Sequence, residues 1–306
     1  MDASKTEMRA PKHHKSRPKP LLAEPLHRLT SRWRQGGVEE YALIEHAAPP
    51  HRRALRRMGD QFEITHHRIR IDHLPEAFRG FRIVQLTDIH HGVFLPGPML
   101  RHVVSLANSL EPDLIVVTGD FVTYSSAYIE PVAQILSELR SRHGTYAVLG
   151  NHDFRVGANE ITDSLEHNGI AVLRNSHVRL RRKGQSLYLA GIDDLLYEAD
   201  LGRALKGIPQ KASTILLSHN PGIIGAASQA GVQLVLSGHT HGGQVNIPFL
   251  GNIWGRSKEQ LRFKVGWGHL GKTQIYVSRG IGTIVVPLRY RCPAEIAQLL
   301  LEPPAA

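Results

Sequence analysis

Five short apolar runs each end on residues able to hold a metal ion. "RIVQLTD" leads to Asp88 and His90, "DLIVVTGD" to Asp120, and "TYAVLGN" to Asn151 and His152. "TILLSHN" brings His219, and "VQLVLSG" brings His239 and His241. Carboxylate, amide and imidazole together suit Mn, Fe or Zn, and the absence of cysteine from these corners argues against a structural zinc site. A single histidine after a strand says little. The same pattern after five strands is hard to assign to chance. Residues i and i+2 of an extended chain point the same way, so Asp88 with His90, and His239 with His241, are expected to face one mouth.

The elements that must position these residues follow from the pattern around them. Helical stretches are expected at 97–110, 127–140, 158–168 and 222–229, between the apolar runs. Strands alternating with helices imply an α/β fold, with sheets covered by helices, and ligands gather at the carboxyl ends of such strands. "FEITHHRIRI" (62–71) alternates in part, as a half-buried strand does. Residues 21–58 could form amphipathic helices broken at Gly36-Gly37 and Pro49-Pro50. The chain is therefore expected to divide into a basic extension over 1–60, partly disordered or helical, and a main domain over 61–306.

Composition narrows the function classes. The chain has 306 residues, 42% of them hydrophobic and 6% aromatic, which fits an ordinary globular protein. No apolar run reaches the roughly 20 residues of a membrane span, and the start lacks a secretory core, so a cytoplasmic protein is expected. The net charge of +10 is uneven: residues 1–60 hold 13 Lys/Arg against 7 Asp/Glu. Such an extension could touch the inner face of a membrane electrostatically. No zinc finger, helix-turn-helix or aromatic-interleaved basic patch points to nucleic acid. Cys292 stands alone, which excludes an internal disulfide, and no histidine beside it suggests a nucleophile.

The motif order D-x-H, G-D, G-N-H-D, H and G-H-x-H resembles the calcineurin-like metallophosphoesterase superfamily over roughly residues 62–302. "GFRIVQLTDIHHG" and "YVSRGIGTIVVPLRYRCPAEI" are similar to its bacterial branch of the YaeI and YkuE type. The resemblance implies a two-sheet β-sandwich flanked by helices, four layers in αββα order. It implies two divalent ions, one held by Asp88, His90 and His241, the other by Asn151, His219 and His239, with Asp120 bridging. Two such ions activate water and stabilise phosphoryl oxygens in an in-line displacement. His152 would protonate or stabilise the leaving oxygen, and Asp153 would orient its imidazole. The substrate would be a small phosphodiester or pyrophosphate, lipid-linked or nucleotide-linked. The alternatives are a phosphomonoesterase at the same site and a non-catalytic interaction scaffold, against which the full donor set and His152 argue.

Two features depart from the obvious. The phosphoprotein phosphatases of the superfamily continue their second motif as G-D-x-V-D-R-G, whereas this chain has Thr123 and Tyr124 in place of the Asp and Arg. That counts against a protein phosphatase. "GWGHLGKT" (266–273) matches the phosphate-loop pattern, but "TQIYVS" after it alternates as a strand, not as the required helix. Among smaller features, His91 is expected to face solvent or support the site. Phe94, Leu95, Met99, Phe249, Leu250 and Trp254 either pack in the core or form a greasy rim.

Overall fold

The computed structural model describes residues 62–247, 251–252 and 263–304. The expected 1–60 extension lies outside the described residues, as do Phe249, Leu250 and Trp254. Two six-stranded sheets form the body. The first contains β1 (Phe62–Arg70), β2 (Arg82–Leu86), β3 (Leu114–Thr118), β4 (Thr145–Val148), β5 (Ala171–Val172) and β14 (Ala294–Glu302), in the order β1-β14-β2-β3-β4-β5. The second contains β6 (Ser176–Arg182), β7 (Gln185–Gly191), β8 (Thr214–Leu217), β9 (Leu234–Ser237), β12 (Gly266–Leu270) and β13 (Thr273–Val277), in the order β12-β13-β9-β8-β7-β6. β10 (Asn246–Ile247) and β11 (Gly251–Asn252) make a separate ribbon. Five helices cover the sheets: α1 (Gly97–Ser109), α2 (Ile129–Leu136), α3 (Asn151–His167), α4 (Leu201–Leu205) and α5 (Ile224–Gln229).

Three apolar layers hold this αββα stack together. Ile83, Val116, Val148, Leu189, Leu217 and Leu236 meet between the sheets. Val84, Val117 and Ala147 face α1, α2 and α3 on one outer side, and Leu216 and Val235 face α4 and α5 on the other. Central strands are therefore buried on both faces, which is why "LIVVT" and "TILL" read as unbroken apolar runs. Each fully buried aliphatic side chain contributes about 1.5–3 kcal/mol relative to exposure. Gln85 is one of the buried polar residues. Its amide donates to Thr118 Oγ1 and to the Ser237 carbonyl, both at 3.0 Å, tying one sheet to the other just below the strand ends.

β2, β3 and β4 run parallel to one another, as do β7, β8, β9 and β13. All five donor-bearing corners thus leave the carboxyl ends of parallel strands. α1, α2 and α5 fall within the expected stretches, α4 was not expected, and α3 begins at Asn151 rather than at 158. Gly157, at φ 156°, kinks it and interrupts the helical period, so the sequence pattern shows only the second half. The motif that carries Asn151 and His152 is consequently the first turn of a helix. The phosphate-loop match is a β12–β13 antiparallel hairpin, with no helix after it. Among the described residues no helix is long and apolar enough to cross a membrane.

Candidate metal centre

Asp88, His90, Asp120, His239 and His241 all have left-handed backbone, with φ between 48° and 73°. This corrects the extended i, i+2 picture: the paired ligands converge because their loops coil back on themselves. Such φ values are costly for non-glycine residues, on the order of 1–3 kcal/mol each, and persist only where surrounding contacts fix them. Here those contacts are dense. Asp88 N–H donates to Gly119 O at 2.9 Å, and His90 N–H to Asp120 O at 2.9 Å. The Asp88 carboxylate accepts from the His239 N–H at 3.0 Å and from Thr87 Oγ1 at 2.9 Å. Glycine is required where backbone meets these carboxylates: a Cβ on Gly150 would lie 2.2 Å from Asp120 Oδ1, and one on Gly238 would lie 2.2 Å from Asp88 Oδ2.

The donors meet in two overlapping groups. Ligand atoms of Asp88, His90 and His241 lie within 4.8 Å of one another, as do those of Asp88, Asp120 and His219. Asp120 Oδ2 reaches both sides, 3.5 Å from His90 Nε2 and 3.2 Å from His219 Nε2. His90 and His241 face each other through their Nε2 atoms at 3.1 Å, and His239 Nδ1 lies 3.2 Å from His219 Nε2. Asn151 Oδ1 and His241 Nδ1 are buried without a partner. A buried polar atom left unpaired costs about 1–3 kcal/mol, so a buried amide oxygen without a partner, one residue before His152, fits a cation. The donor set, two carboxylates, an amide and four imidazoles, is that of a hard-to-borderline divalent metal.

Electrostatics agree with that fit. Burial pushes His90 down to about 3 and His239 to about 4, and drives His241 well below its ordinary value, so all three offer lone pairs at neutral pH. His219 behaves oppositely. Burial disfavours its charge, but Asp120 outweighs this and raises it to about 10. Burial alone would raise Asp120; His219 and His152 prevail and hold it well below the usual carboxylate range. The Asp120–His219 pair is thus ionised, a proton standing where a cation would serve.

His152 donates Nδ1–H to Thr123 O at 3.1 Å, which leaves Nε2 as the ring's free nitrogen, and its backbone N–H binds Asp120 Oδ1 at 2.9 Å. The expected Asp153 contact is different. Its carboxylate accepts the backbone N–H groups of Gly150 and Asp120 at 2.8 Å and of Phe121 at 2.9 Å, so it holds two ligand-bearing turns together rather than touching the His152 ring. Burial first, then the nearby Asp120, pushes Asp153 up to about 7. Thr123, where the protein phosphatases carry Asp, holds both neighbours: its hydroxyl lies 2.9 Å from His90 Nδ1 and its carbonyl takes His152. His91 is buried, with Nδ1–H on Leu95 O at 2.8 Å, and Leu95 is itself core.

Two further corners escaped the sequence reading. After β13, Gly282 N–H donates to Asp88 O at 2.7 Å, and Arg289 spans Gly282 O at 2.6 Å and Arg279 O at 2.8 Å. Cys292 is buried, its Sγ 3.2 Å from His241 O, which is the structural thiol expected. After β7, Asp194 is buried with Oδ2 unpartnered, near His219 and Asp120. "LYLAGIDD", an alternating run ending in glycine and carboxylates, is the signal that marks this corner.

Known proteins resemble this chain. Residues 81–243 match the calcineurin-like phosphoesterase family model. The metallophosphoesterase YkuE of Bacillus subtilis is 34% identical over 249 residues, spanning 78% of this chain and 85% of that one. Phosphodiesterase YaeI of Escherichia coli is 30% identical over 244 residues, spanning 78% and 88%. A Danio rerio transmembrane protein with a metallophosphoesterase domain is 32% identical over 281 residues, 86% of this chain but only 60% of that one. The chain belongs to the calcineurin-like phosphoesterase family and is a metal-dependent phosphoester hydrolase.

Proposed function

We propose that the protein hydrolyses a phosphodiester or pyrophosphate bond, using two divalent ions of the Mn, Fe or Zn class. The observation that carries this reading is the convergence of Asp88, His90, Asp120, His219, His239 and His241 at adjoining strand ends, with Asn151 Oδ1 buried and unpaired on the turn after β4. Asp88, His90 and His241 would hold one ion and Asn151, His219 and His239 the other, with Asp120 shared. Bound there, the ions would supply Lewis-acid stabilisation of phosphoryl oxygens and an activated water. His152, its Nδ1–H fixed by Thr123, presents Nε2 to a leaving oxygen; Asp153 positions the turns that carry His152 and Asp120. Similarity to phosphodiesterase YaeI supports a diester over a monoester. The basic surplus of residues 1–60 supports peripheral contact with an anionic membrane face.

The test is hydrolysis of bis(4-nitrophenyl) phosphate and 4-nitrophenyl phosphate by metal-stripped protein, with Mn²⁺, Zn²⁺ or Fe²⁺ restored. Turnover should return with metal, favour the diester, and fall at least about 100-fold in Asp120→Ala. Preference for the monoester would make the protein a phosphomonoesterase. No turnover with any of the three metals would point to the scaffold reading.

A further inference from the structure

The mouth of the centre has a wall that the motifs do not account for. Phe154 follows His152 by two residues on the first turn of α3, and its ring stacks on Tyr197 from the loop after β7, centroids 4.6 Å apart and planes within 11°. One face of Tyr197 is spent on this stack, yet 43% of the residue stays exposed, beside Leu196 at 64%.

The loop that presents Tyr197 is firmly built. Asp193 takes the Arg174 guanidinium at 3.0 Å, Asn175 accepts from the N–H of Asp193 and of Asp200, and its amide donates to Glu198 O at 2.7 Å. Arg174 also lies 5.3 Å over the Phe154 ring. An exposed aromatic side chain on so fixed a loop is a prepared surface.

Arg155 follows Phe154 directly in the chain. Three residues after His152 on the same helix, it shares the face of that histidine. It is exposed, has no hydrogen bond or ion pair among the described residues, and its charge acts on both His239 and Asp194. The chain lacks the arginine that the protein phosphatases carry at position 124. A cation and a part-exposed aromatic ring thus lie on the turn that opens with Asn151 and His152 and on the loop stacked against it.

We propose that Arg155 and Tyr197 form a subsite for a ring-bearing phosphoester, the phosphate on Arg155 and a planar ring such as a nucleobase on the outer face of Tyr197. This rests on the hydrolase reading only in placing the scissile group at the centre. Stacking of one base on an aromatic side chain is worth about tenfold or more in affinity.

The test is calorimetric binding of adenosine monophosphate, ribose 5-phosphate and phenyl phosphate to the Mn²⁺-loaded full chain. The nucleotide should bind about tenfold more tightly than the sugar phosphate. That ratio should fall to near one in Tyr197→Ala and survive in Tyr197→Phe, while Arg155→Ala weakens the nucleotide and the sugar phosphate by a similar factor. Phenyl phosphate matching the nucleotide would mean a simple aryl ester satisfies the shelf; matching the sugar phosphate would mean the ring must stand off by a sugar. Equal affinities for nucleotide and sugar phosphate in the wild type, or an unchanged ratio in Tyr197→Ala, would overturn the subsite. Because binding is read without turnover, a protein that discriminates the base but hydrolyses nothing keeps the subsite and loses only the hydrolase reading.

Discussion

In the two-ion arrangement proposed above, the Asp88–His90–His241 side and the Asn151–His219–His239 side differ in how their backbone is built. On the first side all three residues have left-handed backbone, and the loop from Arg279 to Cys292 closes over them. The second side leans more on regular elements: Asn151 opens α3 and His219 follows β8 with Nδ1–H on Thr118 O at 2.8 Å, and only His239 there is left-handed. The first side is sealed; the second carries half-buried His152 and exposed Arg155 toward solvent. Left-handed backbone is thus densest on the first side, and half-buried His152, on the first turn of α3, sets its ring 5.0 Å from that of His90. A centre divided this way can hold its ligands rigidly while exchanging substrate on one side.

The contrast is sharpest at His152, which the reading assigns to chemistry alone. His152→Ala should lower kcat by about 10²–10⁴-fold with metal content unchanged. Loss of metal along with activity would show that the mouth side also holds the ions through this residue, and would erase the division. A smaller effect is expected on the sealed side. A Cβ on Gly282 would sit 2.2 Å from the Ile89 carbonyl oxygen, so Gly282→Ala must push the Asp88–His90 loop away from its cover. Metal affinity measured by equilibrium dialysis should drop about 10–100-fold, with a stability loss of roughly 1–3 kcal/mol. Unchanged affinity would mean that the loop does not set the geometry of Asp88 and His90.

The smallest effect lies further back, at the buried Glu295 carboxylate that anchors Arg279. It accepts Tyr276 Oη–H at 2.6 Å, Thr65 Oγ1–H at 2.7 Å and the Arg279 N–H at 2.9 Å. Burial opposes its ionisation, but these bonds and the Arg279 charge prevail and hold it below its ordinary value. A folded pKa below the unfolded one adds stability above the unfolded value and forfeits it as pH falls through the folded one. Glu295→Gln should therefore cost about 1–3 kcal/mol at pH 7 and flatten the decline of melting temperature below pH 4.5. An acid limb as steep as the wild type's would show that Glu295 does not hold the cover through its charge.

Much of the site was legible before the fold. The seven donors and His152 stand in short motifs after apolar runs, and a strand buried on both faces writes itself as an uninterrupted hydrophobic stretch. Asp153 was legible as a motif member but not as a contact, because its partners are backbone N–H groups, which every residue carries. The start of α3 was hidden by the kink at Gly157. Arg155 and Tyr197 carry no motif at all; Phe154, the neighbour of Arg155, meets Tyr197 only because α3 and the loop after β7 pack together.

The sequence by itself determined which strand ends bear donors, the α/β class and the kind of ion those donors suit, since residue chemistry and hydrophobic period are local properties. Only the tertiary structure decided how the donors converge, which atoms are left unpaired, and what walls the mouth. Those depend on left-handed turns and on contacts between segments 100 to 200 residues apart, such as Asp88 with His239 and Asp120 with His219. No local pattern encodes a distance across two packed sheets.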